Sequence, residues 1–105
     1  MATRIERDSM GEVQVPDQAL YGAQTQRAVD NFPVSGEAMP ESFVRALILC
    51  KRAAAGANGN LQRLPDEVAR AIMGACDRLL ADELLMRHFP VDVFQTGSGT
   101  SSNMN

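Results

Sequence analysis

Apolar residues recur three and four apart in two long stretches of this chain, the spacing that puts side chains on one face of a helix. From Glu41 to Asn58, Phe43, Leu47, Cys50 and Ala54 form one stripe, and Val44, Ile48 and Ala55 widen it. From Pro65 to Leu80, Val68, Ile72, Ala75, Cys76, Leu79 and Leu80 make a second apolar face. The ends agree with the pattern. Pro40 and Glu41 suit a first turn, with Ser42 placed to help cap it, and Gly56, Asn58, Gly59 and Asn60 act as stops. Pro65 fits the first position of the second helix, where Asp66 and Glu67 meet the positive end of the helix dipole. A link of about half a dozen residues predicts that the two helices fold back as an antiparallel hairpin.

The remaining elements are shorter. Residues 1–17 are polar and read as an irregular segment, with Val13-Gln14-Val15-Pro16 as a brief extended piece. Tyr21, Gln24, Arg27 and Ala28 suggest a short helix from Leu20 to Asn31, which Asn31-Phe32-Pro33-Val34-Ser35-Gly36 then breaks. Residues 84–89 read as a short apolar helix or turn, and Pro90-Val91-Asp92-Val93-Phe94 as an extended lead into a polar run. Ser101 or Ser102 is a natural N-cap for a helix continuing past Asn105. The fold class is mainly α, with no internal repeat and no low-complexity segment.

Composition narrows the picture. A chain of 105 residues is one domain in size. It is 45% hydrophobic, but 14 of those residues are alanine and five are aromatic, so little large apolar surface is available for a core. The expectation is a marginal domain that leans on further chain or on partner subunits. Net charge is −3 with no basic stripe, which argues against nucleic-acid binding. The longest apolar run, Ala46-Leu47-Ile48-Leu49-Cys50, is too short to span a membrane. The first eight residues carry acids and no apolar stretch, unlike a secretory signal or a transit peptide, so the expected location is the cytoplasm. Cys50 and Cys76 lie in apolar helical patterns without metal-ligand spacing and read as reduced, buried thiols.

Candidate chemistry concentrates in Gln95-Thr96-Gly97-Ser98-Gly99-Thr100-Ser101-Ser102-Asn103-Met104-Asn105. The run is uncharged and rich in hydroxyl, amide and glycine. Such residues are poor core material but can hold a small anion through neutral donors, because glycine lets the backbone approach closely. The alternative, a flexible Ser/Gly linker, has against it Phe94 and Met104 on either side and Asn103 and Asn105 spaced by two, and composition alone leaves both readings open. Gly97-Ser98-Gly99 is not a dinucleotide fingerprint, since residue 102 is serine, and no Gly-Lys-Ser/Thr follows to make a phosphate loop. The single histidine, His88, reads as structural. No cluster has metal-ligand spacing. Tyr21-Gly22-Ala23-Gln24-Thr25-Gln26-Arg27 is the second unusual segment, where Gln24, Thr25 and Arg27 could serve a site or cap neighbouring elements. The chain stops inside the polar run with no cap after Asn105, which reads as a piece of a longer protein.

The run from Gln95 to Asn105 resembles the N-terminal signature of the class II fumarate hydratases, within the aspartase/fumarase superfamily. Arg4-Ile5-Glu6-Arg7-Asp8-Ser9-Met10-Gly11 resembles that family's opening. Tyr21 to Ala28, Asn31-Phe32-Pro33, Lys51 to Ala55 and His88-Phe89-Pro90 also fit. The sister family of aspartate ammonia-lyases shares the scaffold but tends to carry Gln-Gly-Gly-Ala-Gly-Thr and Tyr-Gly-Val-His-Thr. Thr96, Ser98 and Gln24 therefore favour the fumarases. Ser101 is a mild departure, since many fumarases carry a bulkier polar residue there.

The resemblance implies the N-terminal helical domain of an enzyme that reversibly hydrates fumarate to L-malate in the tricarboxylic acid cycle, with no cofactor and no metal. It implies that Ser98, Gly99 and Thr100 bind a substrate carboxylate, with Thr96 and Asn103 as supporting neighbours. It assigns no catalytic residue to this chain, and His88 is not the family's catalytic histidine. The central helix-bundle and C-terminal domains are absent from the chain, the family's active sites form in a homotetramer, and the 105 residues alone are expected to be inactive. The alternatives are an ammonia-lyase N-terminal domain and a freestanding helical interaction module.

Overall fold

The structure, a computed structural model, describes residues 2–105. Two strands open it, β1 (Thr3–Asp8) and β2 (Gly11–Pro16), paired antiparallel from Thr3 opposite Pro16 to Asp8 opposite Gly11. The expectation of an irregular N-terminal segment is thus corrected to a β-hairpin. The reason lies in its inner face. Opposed residues share a face, so Arg4, Glu6 and Asp8 lie with Val15, Val13 and Gly11, and the half-buried positions of β1 are all charged. A polar inner face conceals the period of two. Arg4 is satisfied there by donating to four carbonyls, those of Pro16, Asp17 and Ala19 at 2.9 Å and Tyr21 at 2.8 Å. One guanidinium thereby shapes the turn that carries the chain from β2 to the next helix.

That helix, α1 (Ala23–Asn31), ends where the sequence predicts and begins three residues after Leu20. It belongs, with the hairpin and Met86–Asn105, to one of two compact units. Val15, Ala19 and Tyr21 form a core cluster there, with Val13 packed against it. After a 3-10 turn at Leu85–His88, Asp92 forms a bridge with Ala38, and the described residues close on a short helix, α4 (Thr100–Met104).

The second unit, Pro40–Leu85, holds α2 (Glu41–Asn60) and α3 (Asp66–Ala81). Arg45 donates to the Leu80 carbonyl at 3.0 Å, Arg52 pairs with Asp77 at 2.7 Å, and Gly56 lies against Met73. Partners that run down α3 as they run up α2 define the expected antiparallel hairpin. The buried stripe differs from the sequence reading. Val44, Ile48 and Ala55 of α2, with Ala69 and Cys76 of α3, are buried. Phe43, Val68 and Ile72 are 42, 40 and 37% exposed, and Cys50 is exposed too, so only Cys76 meets the expectation of a buried thiol. Both helices carry apolar residues over more than half their circumference, and each buries only the narrow strip facing the other. Ser42 does not cap α2. Proline occupies the cap position, and the Phe43 and Val44 N–H groups donate to its carbonyl instead. Among the described residues, no helix is long and apolar enough to cross a membrane.

Candidate functional site

The polar run is held from its N-terminal side by Asp92. This carboxylate is buried at 6% exposure and collects the N–H groups of Ser35 (2.8 Å), Gly36 (3.0 Å) and Phe94 (2.8 Å) and the Ser35 hydroxyl (3.0 Å). The Phe94 N–H, with the other donors, holds its carboxyl below the usual carboxylate range, although burial opposes this. A second strap, from the Val93 N–H to the Glu37 carbonyl at 2.9 Å, fixes the same stretch to the 35–38 turn.

Beyond this anchor the chain turns sharply. The Gly99 N–H donates to the Thr96 carbonyl at 3.2 Å, and Gly99 adopts φ +73°, ψ 15°, the left-handed region that glycine enters freely. Gly99 is also the cap position of α4, which corrects the expectation that Ser101 or Ser102 caps this helix. Both serines lie inside it. A glycine has no side chain to satisfy the first N–H groups. Gln95 does so in its place: its Oε1 accepts the Ser102 N–H and the Ser102 hydroxyl, each at 3.1 Å, while its Nε2 donates to the Asp92 carbonyl at 2.9 Å.

Within this frame the hydroxyls of Thr96, Ser98 and Thr100 form a ladder, 3.0 Å from Thr96 to Ser98 and 2.9 Å from Ser98 to Thr100. Three hydroxyls carry three protons, and two are used between the rungs, leaving one to donate outward. All three residues are exposed. An anion entering here would exchange the two internal bonds for bonds to itself, which would turn up to three neutral donors toward it. Asn103 lies a turn along α4, exposed, with its N–H donating to the Gly99 carbonyl at 3.1 Å.

Helix α4 packs on α1, and a cavity of about 200 Å³ lies among Thr25, Arg27, Asn31, Thr100, Ser101 and neighbouring side chains. The residues of the second unusual segment have distinct tasks. Arg27 clasps Asp8 with two bonds of 2.7 and 3.0 Å, and Gln24 adds a third at 2.8 Å, tying α1 to the hairpin turn. The Arg27 guanidinium holds the Asp8 carboxyl below its ordinary value. Thr25 is buried on the cavity wall. His88 is 4% exposed, its Nδ1 accepts the Leu20 N–H at 3.3 Å, and its carbonyl accepts from the Asn105 amide at 2.9 Å. It serves the scaffold, as the sequence suggested. Among the described residues no group of three or more His, Cys, Asp or Glu side chains is arranged to hold a metal ion.

The structure therefore brings Thr96, Ser98, Gly99 and Thr100 together and sets Asn103 a turn away. Sequence reasoning missed the anchors, Asp92 and Gln95. The Gln95 to Ser102 separation matches no local capping rule, and Asp92 reaches Ser35 and Gly36 across more than fifty residues.

Comparison with known proteins places these features in context. The family model described as Lyase matches residues 11–105. A class II fumarate hydratase of Pseudomonas aeruginosa is 68% identical over 103 residues, covering 98% of this chain and 22% of that protein. An aspartate ammonia-lyase of Corynebacterium glutamicum is 50% identical over 104 residues, covering 97% and 20%. The crystal structure of a recombinant class II fumarase from Schistosoma mansoni superposes with a TM-score of 0.87 at 38% identity, covering 97% of this chain and 22% of that one. The chain spans about a fifth of the length of the relatives it matches.

Proposed function

The chain belongs to the lyase family matched over residues 11–105, and from that premise we propose that it is the N-terminal domain of a class II fumarase, the enzyme that reversibly adds water across fumarate to give L-malate. Its contribution is a wall of the substrate site. Ser98 and Thr100 donate their hydroxyls to one substrate carboxylate, Gly99 lets the backbone come close, and Thr96 and Asn103 support them. The observation that carries this reading is the Thr96–Ser98–Thr100 ladder, exposed on a turn that glycine makes free of strain.

The chemistry suits neutral donors. In the dehydration direction a base removes the C3 proton of malate, the carbanion is held as an aci-carboxylate, and hydroxide departs. Preorganised donors stabilise that added charge without reorganising at the moment of reaction. Residues 2–105 are assigned no base. Arg27, the cation at the cavity beside Thr100, is engaged by Asp8, so the cations that balance a dianion come from elsewhere. Further domains and a homotetramer in the cytoplasm complete this proposal, and the chain alone is inactive.

The test is a graft. Residues 1–105 replace the corresponding segment of the Pseudomonas aeruginosa fumarase, and in parallel that of the Corynebacterium glutamicum ammonia-lyase. Fumarate hydration that survives the first graft and falls with the Ser98→Ala/Thr100→Ala pair supports the proposal. Ammonia release from aspartate surviving the second graft while the first is dead would favour the ammonia-lyase reading. Hydration by the isolated chain above the same double-alanine control would overturn its inactivity.

A further inference from the structure

Gln95 sits where three parts of the site meet, and nothing in the chemistry above uses it. Its half-buried side chain makes three hydrogen bonds, one to the Asp92 carbonyl and two to Ser102. Their polarity fixes the amide. A carbonyl only accepts, so it faces the NH₂ group, and a backbone N–H only donates, so it faces the oxygen. The flipped amide satisfies neither end, and a shorter asparagine does not reach both.

Ser102 is the third residue of α4, and its N–H is one that a helix cannot satisfy internally. With glycine at the cap position, that N–H has Gln95 as its acceptor. Thr100, the first residue of α4, carries the last hydroxyl of the ladder. The side chain that holds the third residue of so short a helix therefore also sets the direction of the first. At its other end Gln95 grips a residue whose carboxylate is itself held by four donor groups. The 35–36 turn, Asp92, Gln95 and α4 form one continuous chain of bonds that ends at Thr100.

We propose that Gln95 is a positioning residue, which caps α4 from a distance and thereby aims the Thr100 and Ser98 hydroxyls at the substrate carboxylate. The inference rests on the carboxylate-binding reading of that ladder. Gln95 touches no substrate and acts through Thr100.

The experiment is a double-mutant cycle in the active graft, with KM for fumarate and kcat measured for wild type, Gln95→Ala, Thr100→Val and the pair. Gln95→Ala is expected to raise KM about tenfold, the scale of losing one net hydrogen bond to a charged group. Added to Thr100→Val it should raise KM less than twofold further, because the hydroxyl it aims is gone. A merely structural role moves both backgrounds equally, so effects that multiply overturn the inference, as does an unchanged KM for Gln95→Ala. If Thr100→Val itself leaves KM unchanged, the carboxylate reading fails first. Hydrogen exchange in the same graft gives a readout independent of catalysis. The Ser102 amide should exchange roughly tenfold faster in Gln95→Ala, while the Phe94 amide, bound to Asp92, keeps its protection. Equal Ser102 rates would overturn the capping role whatever the kinetics show.

Discussion

Replacing Gly99 by alanine isolates backbone conformation from every other effect at the site. A Cβ built on Gly99 meets no atom within 4 Å, so a clash contributes nothing. What remains is φ +73°, where an L-residue is disfavoured by about 1–2 kcal/mol relative to glycine. Alanine also narrows the unfolded ensemble, which returns about 0.4–1 kcal/mol. The net loss is about 1 kcal/mol, a roughly fivefold fall in the population of the native turn. The decisive comparison is D-alanine at the same position, introduced by joining a synthetic C-terminal peptide to the chain. It carries the same atoms but prefers positive φ. Gly99→Ala should speed exchange of the Asn103 amide, which donates to the Gly99 carbonyl, about fivefold. D-alanine should leave that amide at least as protected as glycine does, and Gly99→Asn should fall between, since asparagine tolerates this region. Equal exchange for the L- and D-alanine chains would refute the claim that backbone handedness selects glycine here.

Other outcomes follow from the same geometry. Gly59→Ala should destabilise the α2–α3 hairpin by about 1–3 kcal/mol in a thermal melt, because its Cβ would lie 2.9 Å from the Ala69 Cβ, and this outweighs the roughly 1 kcal/mol gain in helix propensity. Gly74→Ala, with open space around it, should instead stabilise by about 0.5–1 kcal/mol, and a shared sign would contradict this packing. Thr100→Val removes a donor at nearly constant volume and should cost about 1–3 kcal/mol in substrate or transition-state binding, read as kcat/KM of the grafted enzyme. Asp92 has a folded pKa below its unfolded one, so the stability it contributes is full above about pH 4 and is lost as pH falls through the folded value. Asp92→Asn should lower stability at neutral pH and flatten the acid limb of a stability profile, and an unaltered limb would show that this carboxylate is not linked to folding.

The two long helices were legible because their signals are local. Period and proline at the start lie within a few residues of what they control, and α2 and α3 appear within about two residues of the expected ends, although Gly56, Asn58, Gly59 and Asn60, read as stops, lie inside α2, and the chain turns left-handed only at Gln62. The polar run stood out as candidate chemistry because it is uncharged and dense in hydroxyl, amide and glycine, a composition that a flexible linker shares. The first strand of the β-hairpin was hidden because its half-buried residues are all charged, and only a folded chain shows that Arg4 finds four carbonyls and Asp8 finds Arg27. The choice of buried face was hidden for a related reason. Helices with apolar residues on most sides have several faces fit to bury, and the partner helix selects Val44, Ile48 and Ala55 over Phe43 and Cys50. By itself the sequence determined which segments are helical and which residues hold the hydroxyls, since both follow from chemistry a few residues wide. Only the tertiary structure decided how the run is anchored, because the bonds from the Ser35 and Gly36 N–H groups to Asp92 span more than fifty residues, a separation over which no residue pattern repeats.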